Sequence, residues 1–124
     1  MSKKEEKEEI YDIDTMTDAG KKITLAGKEY EVLPIKIKDM KYILSENEDV
    51  RIFLPDPEAL KKDADWMMFG LNVVGERKET FMKIINEYVF YKKHPMTEEL
   101  LNKHNWSFKE IGKFLYFWTQ QVSE

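Results

Sequence analysis

Lys22-Ile23-Thr24-Leu25-Ala26-Gly27-Lys28-Glu29-Tyr30-Glu31-Val32-Leu33-Pro34 decides the fold class. Ile23 and Leu25 alternate with polar residues, and so do Tyr30 and Val32. A period of two is that of a strand with one buried face. With Ala26-Gly27 in the turn, Leu25 stands opposite Lys28 and Ile23 opposite Tyr30, so both apolar sets share a face. Gly27 supplies the positive φ of a two-residue turn, and Pro34 ends the second strand. A lone hairpin is marginal in water. Its apolar face must therefore rest on helices or on another chain.

Beyond Pro34 the chain reads mainly as helix. Ile37, Met40, Ile43 and Leu44 give a short amphipathic helix with Lys36, Lys38 and Lys41 outward. Val50 to Leu54 reads as extended. Pro55-Asp56-Pro57 breaks the chain, and Pro57 suits the start of a helical turn through Leu60. Trp66 to Gly75 is apolar nearly all round, so period does not separate helix from strand there. Asp65 as N-cap and Gly75 as terminator favour helix. Phe81, Ile84, Ile85, Tyr88 and Val89 sit at i, i+3, i+4, i+7 and i+8, an amphipathic helix over 76–91 that His94-Pro95 ends. Thr97 caps a helix over 98–103, with Met96 and Leu101 as a hydrophobic staple. Ser107 and Glu110 form a capping box, Ser-x-x-Glu, with Trp106 and Ile111 in the staple positions. The last helix, 108–121, carries Phe108, Ile111, Phe114, Leu115, Trp118 and Val122 on one face, widened by Tyr116 and Phe117. The expectation is an α+β fold, mainly α: an N-terminal hairpin and a compact bundle of four to five short helices. Residues 1–21 form a charged lead-in and 22–124 a single domain.

The 124 residues suffice for one domain, and 42% hydrophobic content suffices for its core. No Cys is present, which removes disulfides, thiolate metal sites and Cys catalysis. A net charge of −4 lacks the positive field that nucleic-acid binding uses. Tyr88, Phe90, Tyr91, Lys92 and Lys93 do interleave aromatics with cations, but they read as a core face and a basic helix end. The longest near-apolar run, Trp66 to Val74, is far short of the roughly 20 residues that span a bilayer. The N-terminus, with three Lys and four Glu in its first nine residues, has no apolar signal segment.

No catalytic or cofactor motif emerges. Gly20, Gly27, Gly70, Gly75 and Gly112 are isolated, so no phosphate loop forms. His94 and His104 have no third ligand at a matching spacing. Ser107 serves better as a cap than as a nucleophile, and carboxylate pairs such as Asp63/Asp65 read as solvated or helix-start residues. No enzyme activity, cofactor or metal is expected. The feature that stands out is apolar surplus in Trp66-Met67-Met68-Phe69 and Leu115-Tyr116-Phe117-Trp118. Met suits adaptable contact surfaces. Trp66, Met67, Phe69, Phe117 and Trp118 are therefore the candidate partner-binding residues.

Two stretches carry a resemblance. Lys22 to Val32, and Met96 to Leu101 with Asn105 to Thr119, resemble the tail assembly chaperones of long-tailed, siphovirus-like bacteriophages and prophages of Gram-positive hosts, over about a quarter of the chain. The resemblance implies a non-enzymatic chaperone in the host bacterial cytoplasm, absent from the mature virion. It implies binding to the tape measure protein and promotion of tail tube assembly. Further implied partners are the tail tube protein, a frameshifted longer form of the chain, and other copies in a homo-oligomer. Nucleic acid and membrane are not expected partners. Small size and acidity suit equally a small phage-encoded inhibitor or regulator that binds a host protein.

Overall fold

Val32 and Val89 stand opposite each other, fully buried, where the hairpin meets the helical part of the chain. The computed structural model describes residues 20–120. The expected lead-in lies outside the described residues except at Gly20 and Lys21, as does Val122. Strands β1 (Lys21–Leu25) and β2 (Lys28–Val32) pair antiparallel, with Ile23 opposite Tyr30 and Leu25 opposite Lys28. Ala26 and Gly27 both take positive φ, 52° and 79°, as a two-residue turn of this hand requires.

The sheet then departs from expectation. The helix expected over 76–91 stops at Tyr88, and Val89–Tyr91 forms strand β3 along Glu31 and Val32. A second tight turn at Lys92 and Lys93, with φ of 48° and 72°, leads into β4 (His94–Pro95). The sheet is four-stranded and antiparallel in the order β1-β2-β3-β4. Val89, Phe90 and Tyr91 are branched or aromatic and suit a pleated, half-buried surface. Val89 also continues the helical period from Phe81, which is why period alone overruns the boundary. Pro95 lacks a backbone N–H and sits on an edge strand, where that is tolerated.

The helical part is less uniform than a bundle of short helices. Ile37–Asp39 is a 3-10 turn, followed by α1 (Lys41–Leu44) and α2 (Glu48–Arg51). Val50 and Arg51 are thus helical rather than extended. Ile37 and Leu44, expected on a buried face, are exposed. Asp56 accepts backbone N–H groups from Ala59 and Leu60, which makes the turn after Pro55. α3 runs over Asp63–Tyr88 and is broken within by Arg77, whose φ of −141° and ψ of 48° are non-helical. Residues 66–74 are helix. The break comes two residues beyond Gly75, and the cap position is Lys62 rather than Asp65. Asp65 still acts at the terminus, its carboxylate accepting the N–H groups of Lys61 and Lys62. α4 (Glu98–Lys103) is capped by Thr97, whose hydroxyl accepts the Leu100 N–H. α5 covers Phe108–Gln120.

The core lies between the sheet and these two longer helices. Phe114 and Trp118 of α5 stack at 6.1 Å, and Tyr88 of α3 meets Trp118 at 5.0 Å. The first half of α3 crosses α5 at two glycines. A Cβ on Gly70 would lie 2.0 Å from the Phe108 carbonyl oxygen, and one on Gly112 would lie 3.0 Å from that of Trp66. Gly75, helical and exposed, would meet nothing. Gly70→Ala should therefore cost about 1–3 kcal/mol, as overpacking does. Gly75→Ala should stabilise by about 0.5–1 kcal/mol. Urea unfolding midpoints check both, and a neutral Gly70→Ala would contradict the close crossing.

Candidate functional site

An open groove of about 390 Å³ lies where α3, α4 and the start of α5 converge. α3 contributes Met67 and Val74, seven residues apart before the break at Arg77, and Lys78 and Met82, four apart after it, so each part of the helix presents one face to the groove. α4 contributes Glu98, Leu101 and Asn102; Trp106, Ser107, Phe108 and Ile111 complete the wall. Met67 is 46% exposed and Phe108 37%, so the mouth is apolar. Met68, 64% exposed, and Leu71 extend the apolar surface along α3. Lys78 Nζ and Glu98 Oε2 bridge the groove at 2.8 Å, but both are about half exposed, so the pair contributes little to stability.

The wall around Trp106 is fixed by local rules. Asn105 has φ 65°, a left-handed conformation that Asn tolerates. The Trp106 N–H reaches back to the Leu101 carbonyl and the Asn105 N–H to that of Asn102. Those are the two bonds of a Schellman motif, which turns the chain sharply after α4 and places Trp106 against the same wall as Leu101. Ser107 and Glu110, expected as a capping box at the start of α5, are joined there. Glu110 accepts both the Ser107 N–H and the Ser107 hydroxyl. Burial alone would push the Glu110 carboxyl up, but these bonds and Lys109 hold it below its ordinary value.

Trp106 is then pinned from the sheet side. An indole N–H can only donate, so Trp106 Nε1 donates to Tyr30 Oη at 2.9 Å. The Tyr30 hydroxyl is also hydrogen-bonded to His104 Nδ1, at 2.9 Å. His104 is buried at this bond, which favours the neutral imidazole. Burial depresses the His104 pKa, aided by Lys28 and Lys103.

The five candidate partner-binding residues separate. Met67 lines the groove. Trp66 is half-buried, edge-on to Phe69 at 6.5 Å and to Tyr116 at 5.7 Å. Phe69 and Phe117 are half-buried and pack against the core. Trp118 is fully buried among Phe114, Tyr88 and Tyr42, so it is a core residue and not part of an accessible surface. Apolar density in the sequence marks α5's inner face as readily as an outer one. The residues missed are Met82, Leu101, Trp106 and Phe108. Their signal is present in the Trp106 staple position and in Met82 standing next to Phe81 on a helix with a defined face.

A second groove, of about 490 Å³, runs over the sheet between Lys22, Lys28, Lys92 and Lys93, with Tyr30, Phe90 and Tyr91. Glu29 and Glu31 interleave with these lysines, and Lys22 lies 3.8 Å from Glu29. Tyr88 is not part of it: it is buried, its hydroxyl donating to Asp39. Among the described residues no cluster of three or more His, Asp or Glu is placed to hold a metal ion, and no helix is long and apolar enough to cross a membrane.

Compared with protein-family models, curated proteins and solved structures, the chain matches none. The groove must therefore be interpreted from its own chemistry.

The neutral His104 gives a pH dependence with a definite sign. The unfolded chain takes up the His104 proton near pH 6.5, whereas the folded chain resists it until lower pH. Stability is thus fully present above about pH 6.5 and falls as pH drops through the depressed folded value. Asp39, Glu87 and Glu110, all held below their ordinary values, add losses only below about pH 4. The urea midpoint should decline between pH 7 and 5 in the native chain and stay level in His104→Gln. A level native profile over that range would contradict the neutral, buried assignment.

Proposed function

We propose that this chain is a non-enzymatic tail assembly chaperone of a siphovirus-like phage, which shields an amphipathic helical segment of the tape measure protein during tail tube assembly in the host cytoplasm. The observation that carries this reading is the open groove of Met67, Val74, Met82, Leu101, Trp106, Phe108 and Ile111. Its size lies within the range of sites that enclose a few apolar side chains. An amphipathic helix laid in such a groove presents anchors at i, i+3 or i+4, and i+7. Two methionines on one wall let the surface repack around different anchors, which suits a client offering many similar helical segments. The charged surface, 35% of residues, keeps such a complex in solution. The sequence resemblance over Lys22–Val32, Met96–Leu101 and Asn105–Thr119 supports the same reading.

Met67 and Phe108 are exposed at the mouth, so substituting them should leave stability within about 0.5 kcal/mol. Co-expression of the chain with a siphovirus-like tape measure protein tests the proposal. The native chain should co-purify with the tape measure protein. Met67→Glu and Phe108→Glu should each reduce recovery at least about tenfold, the effect of roughly 1.4 kcal/mol, with unchanged melting. Equal recovery by all three chains would overturn the assignment of this groove to the client.

A further inference from the structure

The acidity of the chain is unevenly placed. Residues 1–19 hold seven carboxylates against three lysines, whereas residues 20–120 hold sixteen against seventeen Lys and Arg. The net charge of −4 thus equals that of residues 1–19 alone, and the folded body is close to neutral. Residues 8–18 hold five of those seven carboxylates, no Lys or Arg, and the apolar Ile10, Tyr11, Ile13 and Met16. The groove over the sheet has the opposite character. Four lysines and two glutamates line it around Phe90 and Tyr91, both half-buried. Lys22 has Glu29 at 3.8 Å, a loose and exposed pair. Lys92 lies over the Tyr91 ring at 5.4 Å. Among the described residues, no carboxylate is paired with Lys28, Lys92 or Lys93. Three like charges gathered in one groove with no counter-ion of their own attract an anionic segment.

We propose that residues 8–18 dock on this groove of their own chain, with carboxylates against Lys28, Lys92 and Lys93 and apolar side chains against Phe90. Position favours this occupant as well as charge. The lead-in joins the fold at the rim of the groove. Gly20 sits so close to Glu31 that a Cβ there would run into its carboxylate, and Lys22 follows two residues on. Lys22 and Gly27, at either end of the groove's run along β1, are about 17 Å apart at the rise of a strand. Eleven residues reach up to about 36–40 Å, so the segment can cover that length. Tethering also presents it at an effective concentration on the order of mM, which a free acidic peptide rarely matches. The docked segment covers a basic, aromatic face that otherwise attracts polyanions, and an acidic partner must displace it to bind there. No residue of this groove belongs to the one between α3, α4 and α5, so the contact does not depend on the reading of that site.

The chain has no cysteine, so Thr15→Cys places a single nitroxide label within the segment. Amide NMR of the labelled full chain at low salt should show the Lys28, Phe90 and Tyr91 signals losing most of their intensity. The intensity should recover at 1 M salt, where the screening length is about 3 Å. That arm needs no substitution in the groove. The intensity should recover too in Lys92→Glu/Lys93→Glu, which melts as the native chain does because both lysines are exposed. Adding Asp12→Lys, Asp14→Lys and Asp18→Lys to that variant should bring the loss back. With nitroxide and isotope on separate copies no loss should appear, since the contact lies within one chain. Full intensity at low salt, a loss that persists at 1 M salt or in Lys92→Glu/Lys93→Glu, no return on reversing both sets of charges, or a loss between separate copies would each overturn the proposal. So would Phe90 and Tyr91 signals that ignore the label and shift with a single-stranded oligonucleotide, which would assign the groove to nucleic acid.

Discussion

The hydroxyl of Tyr30 is the constraint on which the groove wall depends. It accepts from Trp106 and is hydrogen-bonded to His104 Nδ1, so one oxygen on β2 positions both sides of the turn between α4 and α5. The ring packs edge-on to Trp106 at 5.2 Å and tilted against Tyr91 at 5.5 Å, which couples the turn to both central strands. A buried hydroxyl with neither partner would cost the full desolvation of its polar atom. The wall is therefore cooperative: sheet, Schellman turn and indole are present together. Burial of this cluster, followed by the charges of Lys28 and Lys103, favours the neutral form of His104.

Tyr88 plays the corresponding part at the other end of α3. It is the last helical residue before β3, and its ring meets Trp118 in the core. Its hydroxyl holds Asp39 and the Lys36 backbone. Burial is the largest influence on both Asp39 and Glu87 and would raise their pKa values. Hydrogen bonds and charge from the lysines, with Tyr88 added at Asp39, outweigh it and keep both carboxylates ionised. Burial, followed by the bond to Asp39, pushes the Tyr88 phenol well above its ordinary range. Charged and neutral forms are thus matched at this site. That match lets a loop with little core of its own hold Ile37 in a fixed place.

Legibility in the sequence depends on whether one period governs a segment. The register of Ile23 with Tyr30 is readable because a period of two and a two-residue turn leave a single register that buries both apolar sets. The mainly helical α+β class is readable from Phe81 to Tyr88 and from Phe108 to Trp118. The end of α3 is not, because Val89 satisfies both the helical period and strand propensity, and only its place opposite Val32 decides. Ile37 reads as core because apolar spacing says nothing about the side chains of Lys36 and Lys38, which Glu87 draws inward. Within the site, the Thr97 cap is legible locally. The groove is not, since it is assembled from α3, α4 and α5, and α5's apolar residues divide between core and mouth only once Gly70 and Gly112 set the crossing.

Methionines stand on both sides of the division between groove and core. Met67 and Met82 line the groove proposed to accept an amphipathic helix, whereas Met96 belongs to the closed core. Methyl NMR of the methionine-labelled chain, titrated with a synthetic amphipathic helical peptide from the tape measure protein, separates the two. A helix seated in the groove should shift the Met67 and Met82 methyl signals saturably while Met96 stays in place. Shifts confined to other methionines, or none at peptide excess, would contradict a helix-binding groove.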